Sequence, residues 1–244
     1  MMKDKVPDLQ QQFQNSTVPE LLRFFLEKFE MRIALASSLG AEDQVLTDLI
    51  LKIDPGARIF ILDTGRLPQE TYETIANNMA HYSRSFEIYF PQTSAVESLV
   101  SLNGPDLFHE SIEKRHQCCT VRKVEPLQRV LNTLDVWITG LRREQSVTRQ
   151  EIQKIEWDET NQLLKINPLI DWSTEQVWQY IRGNKIPYNK LHDQGYPSIG
   201  CAPCTRAVNP GEDIRAGRWW WEAPEHKECG LHFRDGKLVR RNQS

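Results

Sequence analysis

The chain has 244 residues and five cysteines, four of which come in two close pairs. Cys118 and Cys119 are adjacent in RHQCCTVRK (115–123), and Cys201 and Cys204 form the CxxC of GCAPC. Adjacent cysteines do not readily bridge to each other, so the vicinal pair asks for another use. A CxxC fits a dithiol redox pair, half of a zinc site or half of an iron–sulfur site. The redox option ranks last, because a thioredoxin-type motif opens a helix after an early strand and this one comes late, behind a glycine and a loop. Zinc seldom takes adjacent ligands, since neighbouring side chains span a tetrahedral mononuclear site with difficulty. A cubane cluster presents separate iron corners, so Cys118, Cys119, Cys201 and Cys204 could each hold one. Arg115, Arg122 and Lys123 would then offset the negative charge of the thiolates. Burial of the vicinal pair as two small side chains stands as the plain alternative.

Cys229 remains, in HKECGLHF near the C-terminus. His226, Lys227 and His232 favour a thiolate there, while Glu225 and Glu228 oppose it. With Arg215, Arg218, Arg234, Arg240 and Arg241 in the same stretch, the surroundings are basic enough to attract an anionic substrate. An odd cysteine count also fits poorly with a complete disulfide framework.

These residues need a frame to bring them together. Short apolar runs at 32–38, 57–62, 85–90 and 134–140 predict strands. Helical spacing follows at 41–53, at 68–80 and at 121–131. Strands alternating with helices predict an α/β fold, a mostly parallel sheet with helices on both faces. A further helix is predicted over 173–184, with Ser173 or Thr174 as its cap. Residues 1–30 read as a helical extension and 31–184 as a nucleotide-binding α/β unit. Residues 185–244, rich in Gly, Pro, Cys, Trp and charge, read as an irregular segment of the same domain that completes the site and ends in a mobile tail.

Ligands of such sheets bind beyond the carboxyl ends of the strands. The apolar runs there give way to SSLGAED (37–43), DTGR (63–66) and TGLRREQ (139–145). In the first loop, Ser37 and Ser38 offer hydroxyls, Gly40 lets a ligand approach the backbone, and Glu42 and Asp43 open the helix whose positive end receives an anion. No lysine follows the glycine, so this is not a Walker loop. Singly, each loop is an ordinary turn, and Arg142, Arg143 and Arg149 are ordinary solvated cations. Three strand ends with anion-friendly groups together favour a ligand bearing phosphate or sulfate.

The formal net charge of −3 gives no global positive field for a nucleic-acid partner. No apolar run approaches membrane-spanning length, and the N-terminus lacks the apolar stretch of a secretory signal. The expected compartment is the cytoplasm, where thiols stay reduced.

Taken together, SSLGAED, LDTGR, the CC pair, the CxxC and ECGLH resemble the assimilatory sulfonucleotide reductases, and among them the cluster-bearing adenylyl-sulfate (APS) reductases. The resemblance runs from about residue 30 to the tail. It implies an adenine nucleotide α-hydrolase-like sheet related to PP-loop pyrophosphatases, and reduction of APS to sulfite and AMP with thioredoxin or glutaredoxin as donor. It implies a 4Fe-4S cluster on Cys118, Cys119, Cys201 and Cys204 with Lys123 close by, and Cys229 as nucleophile with His232 beside the substrate. It further implies substrate-binding loops at Ser37–Asp43, at Leu62–Arg66 including Asp63, Thr64, Gly65 and Arg66, and at Arg142, Arg143 and Arg149, with Arg215 and Arg218 as a basic pair. Leu39 departs from the family, where a polar residue is frequent, and this removes a side-chain donor from the loop. A PAPS reductase is the nearest rival, typically without the cluster cysteines. A PP-loop ATP-activating enzyme would want SGGxDS in place of SSLGAED, and a zinc-stapled nucleotide-binding regulator would be colourless. Packing explains the tryptophans of RWWWE (218–222) better than adenine stacking does. Homo-oligomerisation is left open.

Overall fold

The predicted apolar runs become four neighbouring strands of one six-stranded sheet. The computed structural model describes residues 2–145 and 151–222. Cys229, His232 and Arg149 lie outside the described residues. Strands β1 (Ile33–Ser37), β2 (Arg58–Leu62), β3 (Glu87–Tyr89) and β4 (Val136–Ile138) form at the expected places. Two further strands, β5 (Ile155–Asp158) and β6 (Leu163–Ile166), form a hairpin in a stretch the sequence reading leaves without elements. Among the described residues the sheet order is β3-β2-β1-β4-β6-β5, with every pair parallel except β5 and β6. Chain order runs one way from β1 to β3 and the other way through β4, so the crevice between the ends of β1 and β4 is the topological switch point.

Helices α1 (Val6–Gln12) and α2 (Val18–Phe29) precede the sheet. Thr17 and Glu20 form a capping box that starts α2. Their apolar faces do not stand apart as an appendage. Leu22, Phe25 and Phe29 share one core with Ile33 and Leu35 of β1 and with Val45 and Ile50 of α3 (Ala41–Ile53). Burying that many large apolar side chains is what holds the N-terminal helices on the sheet.

Helices α4 (Gln69–Tyr82) and α5 (Thr93–Asn103) follow. The helix predicted over 121–131 differs in detail. Only its second part is α-helical, as α7 (Glu125–Leu131), and a helix the sequence did not predict, α6 (Ile112–Cys119), capped by the Ser111 hydroxyl, precedes it. A wide π turn, Thr120–Val124, joins them. Pro126 has no N–H to give to the carbonyl four residues back, and a π turn is one way a helix absorbs that loss. Its consequence is functional, because the vicinal cysteines end α6 and Lys123 rides on the π turn. Helix α8 (Thr174–Asn184) is capped by Ser173, one of the two predicted caps, in a capping box with Gln176. From residue 185 onward the described chain is irregular, with two short 3-10 turns. No helix among the described residues is long and apolar enough to cross a membrane.

Candidate functional site

The turn after β1 is held by its own helix. Ser38 donates both its N–H and its hydroxyl to Asp43 Oδ2, each at 2.6 Å. Leu39 takes the left-handed conformation with φ of 62° and sends its side chain into an apolar cluster with Ile61 and Ile75. A branched residue in that region is strained, and such strain concentrates at functional loops. Gly140, after β4, is needed for close approach: a Cβ there would lie 2.3 Å from Asp43 Oδ1. Asp43 is buried, and burial pushes its carboxyl up to about 6, helped by Glu42 and opposed by the Ser38 bonds and Lys123.

Arg142 is buried and spends its guanidinium on the fold. It donates to Glu42 at 2.9 Å, to Glu144, to the Trp172 carbonyl and to the Thr174 hydroxyl. Arg143 turns to Asp171 and the Ile152 carbonyl and lines neither cavity described below. Asp63 is buried and caps its own turn, accepting from Gly65 N–H at 2.7 Å and from the Tyr72 hydroxyl. Gly65 is exposed, with φ of 70°. The DTGR turn instead reaches the thiols. The Thr64 hydroxyl lies 3.2 Å from Cys201 Sγ, the Arg66 carbonyl accepts from Ala202 N–H, and the Thr64 carbonyl accepts from Arg122.

All four paired cysteines, from two segments about eighty residues apart, line one cavity of about 150 Å³. Cys118 and Cys204 are buried there against Phe108, Leu99 and Trp219. Burial pushes both thiols up, and the neighbouring thiols push Cys204 further. Cations ring the same cavity: Arg66, Arg115, Arg122, Lys123 and Arg218. Among the described residues no three His, Cys, Asp or Glu side chains converge closely enough to hold a single metal ion. Four soft thiols around one cavity, ringed by cations, are a donor set that fits a thiolate-ligated cluster.

A second cavity, of about 700 Å³, opens at the switch point. Ser38, Gly40, Glu42, Asp43, Arg142 and Arg215 line it. Lys123, Trp137, Arg218 and Trp219, together with Ala36, Ser38 and Ile199, line both cavities and so form the partition between them. Arg218 is buried, donates to the Ile199 carbonyl at 3.0 Å and stacks over Trp219 at 4.7 Å. Trp219 is itself packed between Arg218 and Arg115, whose ring contact is 4.8 Å. Arg115 is fully buried and paired with Glu222, whose side chain is also buried, at 2.8 Å. These contacts show what Trp219 does: it packs the partition. Trp137 and His192 also line the larger cavity, and the sequence did not single them out. Trp137 was hidden inside an apolar strand run, and His192 carries no pattern of its own.

The fold and the cavity pair define a nucleotide-type α/β protein with a thiol-walled chamber next to its ligand crevice. A family model for the phosphoadenosine phosphosulfate reductase domain matches residues 32–207, and the chain belongs to that family. The adenosine 5'-phosphosulfate reductase of Allochromatium vinosum is 58% identical over 203 residues, 83% of this chain and 79% of its own. The enzyme of the same name from Burkholderia cepacia is 51% identical over 202 residues, 83% and 81% of the two chains. Among solved structures, phosphoadenylyl-sulfate reductase from Candida auris superimposes with a TM-score of 0.73 at 28% identity, covering 84% of this chain and 97% of its own. An FMN adenylyltransferase from Candida glabrata shares the fold at TM-score 0.55 and 16% identity, over 88% and 73%. The α/β fold expected from the sequence is the one found.

Proposed function

We propose that this chain reduces adenosine 5'-phosphosulfate to sulfite and AMP, taking two electrons from thioredoxin or glutaredoxin, as a cytoplasmic step of sulfate assimilation toward cysteine. The observation that carries this reading is the partition: four cysteines are grouped in one cavity, and Lys123 and Arg218 stand between it and the crevice at the switch point. The fifth cysteine of the sequence, Cys229, lies outside the described residues and is the proposed nucleophile. The relatives that bear the name APS reductase, at 45–58% identity, support the substrate.

The crevice receives the nucleotide at the end of β1, and Lys123, Arg215 and Arg218 meet the negative charge of the phosphosulfate. The Cys229 thiolate attacks the sulfur, the S–O bond to AMP breaks, and an S-sulfonated cysteine remains. A thioredoxin thiolate then attacks Cys229 Sγ, sulfite leaves with the bonding pair, and a mixed disulfide forms. The donor's second thiol resolves it, which returns Cys229 as a thiol and oxidises the donor. Cys118, Cys119, Cys201 and Cys204 would hold a 4Fe-4S cluster, which supplies local electrostatics and fixes the site's shape. His232 and Arg149 are proposed to join the substrate shell, and Arg142 to act by holding Glu42 and α8 in place.

The test is thioredoxin-dependent sulfite release from APS, with iron and acid-labile sulfide measured on anaerobically purified protein. Cys229→Ser should retain its iron and bind APS, yet carry no protein-bound sulfite from labelled substrate. Labelled sulfite on that variant would remove the nucleophile. The family model's own description and the Candida auris relative keep the 3'-phosphorylated nucleotide as a second substrate to assay.

A further inference from the structure

Arg115 lies on α6 and is fully buried. Its Nε and Nη2 donate to the two carboxylate oxygens of Glu222, at 2.9 and 2.8 Å, and the Glu222 side chain is buried as well. The same guanidinium stacks over Trp219 at 4.8 Å and hydrogen-bonds Cys119. One group thus ties together a cysteine of the smaller cavity, a residue of the partition and the last of the described residues.

A carboxylate already meets the charge of Arg115, so balancing thiolates is not its main task. Stability is a weak explanation too, since well-packed apolar side chains of the same volume often serve as well as a buried ion pair. What a two-point fork supplies is direction, because it fixes both oxygens of Glu222 and with them the backbone that carries them. Backbone bonds complete the seat. Glu222 N–H donates to the Trp219 carbonyl at 2.8 Å, and Trp219 N–H donates to the Cys204 carbonyl at 3.1 Å.

Cys229 comes seven residues after Glu222, and Trp219 of the partition comes three before it. At roughly 3.3–3.6 Å per residue, Glu222 is within about 11 Å of Trp219 along the chain, and seven residues span up to about 25 Å. The chain between them is long enough for the thiol to return to the partition.

Resting on the reading of Cys229 as the nucleophile, we propose that Arg115 and Glu222 are positioning residues: the pair fixes the place and direction in which the segment bearing Cys229 leaves the fold, and so aligns its thiolate with the sulfur at the partition. A simple tether would behave differently. Without the pair, the nearest packed side chains are Trp221, against His109 at 4.1 Å, and buried Trp219. Lengthening a flexible tether by that little lowers effective concentration less than about 2-fold. Losing alignment of the reacting atoms costs roughly 10–100-fold.

A single turnover of the full-length, iron-loaded protein with radiolabelled APS and no thiol donor reads sulfite transfer to Cys229 directly. Glu222→Gln should keep its iron and bind AMP as the wild type does, yet carry out the transfer roughly 10–100-fold more slowly. Glu222→Asp, which keeps the charge on a shorter arm, should recover part of the rate. Alkylation of Cys229 by iodoacetamide needs no alignment and should proceed equally fast in wild type and variant. A transfer rate within about 2-fold of wild type in Glu222→Gln overturns the inference, and so does slowed alkylation, since the thiol itself would then have changed. Loss of iron or of AMP binding in that variant also overturns it, because the pair would then act through the cysteines or the crevice. No protein-bound sulfite on the wild type would sink the nucleophile reading, and the inference with it.

Discussion

Gly200 sets the position of Arg218 by having no side chain. A Cβ built there would lie 2.2 Å from Arg218 Nη2, 2.4 Å from Cζ and 2.8 Å from Nη1. Gly200 is not among the residues with positive φ, so its backbone accepts alanine without strain. In Gly200→Ala the guanidinium is therefore what gives, by more than about 1 Å, to reach ordinary van der Waals separation. It then leaves the Ile199 carbonyl, now 3.0 Å away, and its seat over Trp219. A charge-assisted hydrogen bond to the substrate anion is worth about 1.5–3 kcal/mol, so kcat/KM for APS should fall roughly 10–150-fold. Cys201 is the next residue, and the iron content and visible absorbance of Gly200→Ala should match the wild type. Arg218→Ala should show a similar loss, and the double variant should lose no more than the worse single, because both changes remove one group. Full iron with unchanged kcat/KM would refute the reasoning, since the guanidinium would then have moved at no cost. Loss of iron would refute it in another way, because the backbone at Cys201 would have yielded first.

Three further outcomes follow from the same site. Cys118→Ser and Cys204→Ser, each measured for iron and sulfide after anaerobic purification, should lose most of the bound iron; full retention in either removes that residue from the ligand set. Glu222→Gln removes the carboxylate charge that faces the fully buried Arg115 guanidinium while Cys119 remains beside it, and should cost about 1–3 kcal/mol of stability in denaturant melts, whereas no loss would mean that the ion pair does not hold this segment. Asp43 titrates higher in the fold than its ordinary value of 3.8, near 6, so the native state holds the extra proton between those values and its stability falls as pH rises through that window. Asp43→Asn should therefore gain on the order of 1–3 kcal/mol relative to wild type between pH 4 and pH 7; a constant difference across that range would contradict the raised carboxyl.

Much of the sheet was legible because its signal is local. Apolar runs such as IFIL (59–62) and IALA (33–36) are satisfied by burial on both faces, and the polar loops after them fall at the carboxyl ends for the same reason. The hairpin β5–β6 was not legible. Its strands carry Glu156 and Lys165, which pair across the hairpin at 2.9 Å with Lys165 over Trp137, and charged residues in a short run hide a strand until their partners are known. The π turn at 120–124 was likewise invisible, since Pro126 forbids a regular helix without saying what replaces it.

For the site, residue type and spacing pointed to the two cysteine pairs and the three strand-end loops, because thiols, glycines and arginines carry their chemistry wherever they lie, while the basic pair Arg215 and Arg218 came from the family resemblance. Tertiary structure decided which of them face one another. It brought Cys118 and Cys119 to Cys201 and Cys204, turned Arg142 inward to Glu42 and Arg143 away to Asp171, and gave Ser38 to Asp43. It also put His192 and Trp137 on the cavity wall. The physical reason is range: propensity and patterning act over a few residues, whereas a side chain's partners are chosen by packing between segments that the chain brings together from far apart.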